Sequence, residues 1–264
     1  AISGKADCLN IAIQQARGEF VGFVDSDDWM EPNMCEVLLE AIESTGKDCV
    51  SCGYLNEFAS ETVSDPVCEE RQVLSSTDAI VMIYDRRLYG YLHGRLFRRS
   101  LLVEPVPHLR RYEDFAVIYK WFSHGNGLTL VPLCLYHYRQ RRSSIMNSMD
   151  DRMFGFIELL EEFYHFISEN NLLPERQNRA LAVKNCMRIA KDIARKTRGR
   201  KSTVRLYDIR KAISRLGPMK FDQPDVKLRW RVWLLRHSVN GFKGAMRTGD
   251  LFVRQHPYNR KYYK

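Results

Sequence analysis

An α/β domain followed by an all-helical region is the fold this sequence predicts. Three observations carry it. Apolar runs of strand type alternate with helical periodicities up to about residue 140, no strand pattern follows residue 150, and the charge changes sign along the chain. Residues 1–175 hold 16 Lys and Arg against 27 Asp and Glu, whereas residues 176–264 hold 25 against 5, so −11 and +20 make up the net +9. The 264 residues, 45% of them apolar, can bury a good-sized core. No stretch reaches the ~18 consecutive apolar residues of a membrane-spanning helix.

Taken in order, Leu9, Ile11, Ile13 and Ala16 recur at helical spacing and Gly18 stops them, which predicts a helix over 10–16. The run from Glu19 to Asp25 reads as a strand ending in acids. Pro32 suits a helical first turn, and Met34, Val37, Leu38 and Ile42 extend that helix to Gly46. Cys49 to Phe58 reads as a second strand, 59–74 as irregular, and Thr77 to Tyr84 as a helix with Ser76 as its N-cap. After a mixed stretch over 88–102, a helix is expected from Arg111 to Phe122, then a strand over 128–138 broken by Pro132. Helices follow over 154–167, 179–194, 204–216 (ended by Gly217-Pro218) and 228–239. The domain boundary is expected at 148–152, which divides the chain into 1–149 and 150–264.

The seven cysteines are an odd number, and residues 1–10 contain no apolar leader core, so reduced thiols in the cytoplasm are expected. Cys49 and Cys52 form a C-x-x-C inside a strand-like run. Without a second C-x-x-C or a paired His motif to complete four ligands, they read as core rather than metal or redox groups.

The most informative segment is Gly18-Glu-Phe-Val-Gly-Phe-Val-Asp25-Ser-Asp27-Asp28-Trp29. A strand that delivers three carboxylates within four residues needs a positive partner. A divalent ion, Mn²⁺ or Mg²⁺, would fill that need and steady a diphosphate. The same acids could instead cap the helix that follows.

Together with Ser3-Gly-Lys5-Ala-Asp-Cys-Leu-Asn10, Ala16-Arg-Gly-Glu-Phe and Glu31-Pro32, this segment resembles the middle of the GT-A-fold, family 2 glycosyltransferases. Asp48-Cys-Val-Ser-Cys-Gly-Tyr, His93-Gly-Arg95-Leu-Phe-Arg-Arg-Ser-Leu-Leu, Arg111-Tyr-Glu113-Asp114-Phe and Leu135-Tyr-His-Tyr-Arg139-Gln-Arg141-Arg-Ser-Ser144-Ile are similar to later segments of that family, in the same order. Arg95 stands where Lys is commoner. The resemblance covers about residues 3–147 and implies a partial GT-A mixed sheet. The family's first strand and acidic base-binding loop would precede residue 1, as if the chain began inside the domain.

Carried over, the resemblance implies Asp25 and Asp27 on the metal, and Lys5, Asn10, Asp25, Arg139 and Arg141 on the donor. Asp114 would be the general base, with Glu113 beside it. An inverting transfer requires such a carboxylate to take the acceptor hydroxyl's proton, although both acids also suit a helix N-terminus. Arg139, Arg141 and Arg142 could meet the diphosphate bidentately or tie the loop to the domain. His137 alternates with Tyr136 and Tyr138 and reads as a packed or surface His rather than a ligand.

The expected activity is metal-assisted, hexosyl-type transfer from a nucleotide-sugar donor, a UDP-sugar, to a saccharide or lipid-linked saccharide acceptor. The alternative is a non-catalytic GT-A-like binding module held to a membrane or a partner by its basic tail. Leu228-Arg-Trp-Arg-Val-Trp-Leu-Leu-Arg236 interleaves cations with indoles. That suits peripheral contact with the inner face of the cell membrane, while the two preceding helices suit packing. Nucleic acid is not an expected partner, because neither a third acidic strand motif nor a nucleic-acid module is legible.

Overall fold

Two units, residues 1–148 and 149–264, divide the chain. The computed structural model describes residues 4–109, 112–141, 155–197, 199–217 and 226–248. Arg111, Arg142, Ser144 and the tail beyond 248 therefore lie outside the described residues.

The first unit runs α1 (Lys5–Gln15), β1 (Phe20–Gly22), β2 (Trp29–Met30), α2 (Met34–Thr45), β3 (Cys49–Glu57), β4 (Thr62–Asp65), β5 (Gln72–Leu74), α3 (Ser76–Tyr84), β6 (Arg95–Arg98), α4 (Glu113–Ser123) and β7 (Leu128–Arg139). The strands form one mixed sheet in the order β1-β6-β3-β7-β2, with β4 paired to β3 and β5 to β7. β3 and β7 run parallel, and the other pairs are antiparallel.

β3 is buried on both faces because helices cover both. On one face Met34, Leu38, Ala41 and Ile42 of α2 pack on Val50, Cys52, Tyr54, Val131 and Leu135. On the other, Phe97 of β6 meets Trp121 and Phe122 of α4 with ring centroids 5.6 and 6.3 Å apart. The Trp121 indole also donates to the Glu104 carbonyl at 2.9 Å.

Several expectations change. β1 stops at Gly22, so Asp25 stands on a loop rather than on the strand end. α1 begins at Lys5, and α2 begins two residues after Pro32 and ends on left-handed Gly46 (φ 64°). The cap of α3 is Ser75, whose Oγ accepts from Asp78 N at 3.0 Å, while Ser76 Oγ donates to the Gly125 carbonyl. The polar stretch 59–74 contributes β4 and β5, and β3–β4 is a hairpin. Pro132 does not break β7. It falls where the β3–β7 register slips between Ser51/Leu130 and Gly53/Cys134, a bulge that removes the need for its missing N–H. Gly127 (φ 140°) sits where β5 meets β7, and a Cβ there would overlap the Leu74 carbonyl oxygen.

Cys49 and Cys52 are fully buried, and burial pushes both thiols up to about 12, as it does Cys186. Cys8 and Cys35 are exposed. An aromatic disulfide reagent at pH 8 is therefore expected to label Cys8 and Cys35 quickly, and Cys49, Cys52 and Cys186 only after unfolding. Peptide mapping checks this, and fast labelling of Cys52 in the folded chain would contradict a core role.

The second unit contains α5 (Gly155–Glu169), α6 (Glu175–Lys196), α7 (Gly199–Arg215), α8 (Val226–His237) and α9 (Val239–Thr248). α6 lies at its centre, burying Ala182, Val183, Cys186, Ile189, Ala190 and Ile193. Phe163, Leu206, Ile209, Leu235 and Phe242 come from its neighbours. The helix expected over 228–239 is α8, which ends at His237, and a further helix, α9, follows Ser238, whose hydroxyl accepts from Gly241 N. Among the described residues, no helix is long and apolar enough to cross a membrane.

Candidate active site

The side chain of Lys5, in the first turn of α1, reaches three carboxylates. Its Nζ lies 3.1 Å from Asp25 Oδ1, 3.6 Å from Asp114 Oδ1 and 3.9 Å from Glu113 Oε1. Two of these acids open α4, next to Tyr112 in the left-handed region (φ 66°), and the third hangs from the loop after β1. Acids almost ninety positions apart in sequence thus share one ammonium group. Burial opposes the charge on Lys5, but the charges of Asp114, Asp25 and Glu113 outweigh it and hold its pKa above the ordinary value. Burial raises Glu113, with Asp114 adding to the shift.

Asp25 is held low, to about 2, first by His93 and then, against burial, by Lys5. His93 Nδ1 stands 3.4 Å from Asp25 Oδ2, outside good hydrogen-bond geometry, and neither ring nitrogen has a hydrogen-bond partner among the described residues. The imidazole is fixed by stacking between Tyr91 (4.8 Å) and Tyr136 (4.7 Å). The Tyr136 hydroxyl accepts from Asp25 N at 3.1 Å and donates to Asp28 Oδ2 at 2.9 Å, so it sets the shape of the acidic turn. Asp28 Oδ1 accepts from Arg139 N at 2.9 Å, and burial nevertheless raises its carboxyl.

Asp25, Asp28 and His93 offer three ligand atoms within 4.8 Å of one another. Two carboxylates and an imidazole could hold a divalent ion such as Mn²⁺ or Mg²⁺. This grouping differs from the expected Asp25–Asp27 pair. Asp27 Oδ2 lies 3.7 Å from Arg141 Nη2.

Asn10 is not brought to the cluster either. Its amide donates to Val106 O at 2.9 Å and accepts from Val106 N at 2.8 Å, which ties α1 to the 100–109 loop. Arg139 lies with its guanidinium 5.1 Å over the Trp29 ring. His137 bridges Glu57 (2.8 Å) and Glu31 (3.0 Å) and stacks on Trp29, a packed role. Buried Arg95 donates to the Tyr89 and Tyr91 carbonyls. Sequence reasoning missed His93 and Tyr136 as site groups. The one available signal was their position inside the His93-Gly-Arg95 and Tyr136-His-Tyr138 segments, which converge on Asp25.

Residues 3–104 match the sequence family described as glycosyl transferase family 2. Over that stretch the chain is similar to the family 2 glycosyltransferases. EpsH of Bacillus subtilis (strain 168), named as a glycosyltransferase, is 31% identical over 175 residues, 63% of this chain and 51% of that protein. GlyG of Streptococcus pneumoniae serotype 4, also so named, is 27% identical over 63% of this chain and 58% of its own length. The chain spans about half the length of these curated relatives. The crystal structure of S. aureus TarS 1–349 in complex with UDP-GlcNAc matches with a TM-score of 0.69 at 19% identity, over 99% of this chain and 73% of that one. This likeness shows the GT-A fold.

Proposed function

We propose that the glycosyltransferase domain moves a sugar from a nucleotide-diphosphate donor, a UDP-sugar, to a hydroxyl of a polysaccharide or glycolipid acceptor, with inversion. One observation carries the reading: the Asp114 carboxylate shares Lys5 with Asp25, so the acid that opens α4 lies beside the acidic turn. Asp114 Oδ1, buried and without a hydrogen-bond partner among the described residues, stands 3.6 Å from the Lys5 ammonium and would serve as the general base. Lys5 supplies a cation that donor phosphates can share with Asp25. Tyr136 holds the turn, and Glu113, raised by burial, stands beside the base. Asp25, Asp28 and His93 would hold a divalent ion, which would supply neutralising charge for a diphosphate leaving group. TarS bound to UDP-GlcNAc supports a nucleotide-sugar donor for this fold.

The test is release of nucleoside diphosphate from a panel of UDP-sugars by the protein carrying this chain. Turnover is expected with Mn²⁺, with loss of activity in chelator and about 10²-fold or greater loss in Asp25→Asn. Donor binding without turnover under every condition would instead identify a binding module.

A further inference from the structure

The helical unit holds a cleft of about 480 Å³ lined by Arg210, Ser214, Gly217, Arg236 and His237. Arg210 and Ser214 lie one turn apart near the end of α7, Arg236 and His237 end α8, and Gly217 follows α7 with φ 80°. No acidic side chain belongs to the lining among the described residues. Arg236 Nε is buried and has no hydrogen-bond partner among the described residues, an unfavourable state unless an acceptor arrives. Two helix C-termini place about half a negative charge each nearby, whereas the two guanidinium groups carry a full positive charge each, so the cleft remains cationic. Guanidinium forks match phosphoryl oxygens bidentately.

The surroundings favour one source for that phosphoryl group. Trp230 and Trp233 of α8 are 48% and 54% exposed, an unfavourable arrangement for indoles in bulk water. Trp230, Trp233 and His237 fall on one helical face, and the His237 ring stacks on Trp233 at 4.7 Å. The cleft therefore opens beside an aromatic patch suited to the bilayer interface. Residues 176–264, with 25 Lys and Arg against 5 acids, would draw the unit towards an anionic surface.

We propose that this cleft binds the phosphoryl group of an anionic phospholipid headgroup, with Trp230 and Trp233 entering the headgroup boundary beside it. The inference gives the expected peripheral membrane contact a specific site and does not depend on the transferase chemistry.

The experiment is co-sedimentation of the full chain with phosphatidylcholine vesicles, with and without phosphatidylglycerol, alongside a titration with soluble glycerol 1-phosphate. Binding is expected only with phosphatidylglycerol, with a blue-shifted tryptophan emission. Arg210→Gln with Arg236→Gln should weaken it about 25-fold, roughly fivefold per cation. Lys211→Gln with Lys227→Gln removes the same charge from exposed positions on the same two helices and should cost less than fivefold. Trp230→Ala with Trp233→Ala should abolish the emission shift and weaken binding.

Equal losses in the two charge pairs would overturn the site in favour of diffuse attraction. Saturable binding of glycerol 1-phosphate without vesicle binding would overturn the lipid as occupant. Circular dichroism screens each variant, and Arg210→Gln alone carries the test where Arg236→Gln unfolds. Sugar transfer to a soluble acceptor, assayed in parallel, is expected to be unchanged, so failure of this proposal and failure of the transferase reading give different results.

Discussion

Asp114→Asn is expected to lower sugar transfer by about 10²–10⁴-fold while donor binding and fold persist. The amide keeps the size of the side chain and can still accept from Leu92 N, which approaches Oδ2 at 3.4 Å, but it cannot take a proton. Three carboxylates crowd around the single ammonium of Lys5, so neutralising one relieves repulsion. The variant should accordingly melt at the same temperature as the parent chain or higher. That combination separates a chemical role from a structural one. Steady-state transfer rates and donor titration by fluorescence check it, and a transfer rate within a few-fold of the parent would remove Asp114 from the mechanism.

Trp121→Ala is expected to cost about 3–5 kcal/mol of stability, the usual range for emptying a buried aromatic site. Trp121 is fully buried, stacks 6.0 Å from Phe23, meets Phe97 edge-on at 5.6 Å and donates to Glu104 O. It anchors α4, whose first turn carries Glu113 and Asp114, and Phe23 lies two residues before Asp25. The substitution should lower the melting temperature by about 10 °C and loosen both acidic segments together. Differential scanning calorimetry gives the first number. Hydrogen exchange at residues 23–28 and 113–118 tests the second, and unchanged protection there would show that the anchor is not shared.

Much of this arrangement was readable because it is written locally. The acidic turn, the Glu113-Asp114 pair and Lys5 each sit in a short motif, and the fold then had only to bring the motifs together. The boundary between sheet and helices could be read for a similar reason: a period of two gives way to 3.6 after residue 150. The rest was hidden by effects with no local signal. Which of Asp25, Asp27 and Asp28 cluster with His93 depends on side-chain directions in a turn, and Tyr136 of β7 holds Asp28 there. His93 gains its place by stacking between two tyrosines drawn from different segments. β4 and β5 are short, polar and half exposed, and their structure comes from pairing with β3 and β7 rather than from their own pattern. Asn10, in a position the family resemblance assigns to donor binding, is instead committed to the Val106 backbone.

β7 is the last strand of its sheet to leave the ribosome, yet it lies in the interior and hydrogen-bonds to β3, β2 and β5. Its partner in β3 is made about eighty residues earlier. During synthesis, one flank of β3 therefore waits as an unmatched template until residue 139 has emerged. Pairing at such sequence separation slows folding, and the delay falls on a strand that ends up buried on both faces. A nascent chain arrested before residue 128 should consequently depend on chaperones far more than one arrested after residue 139.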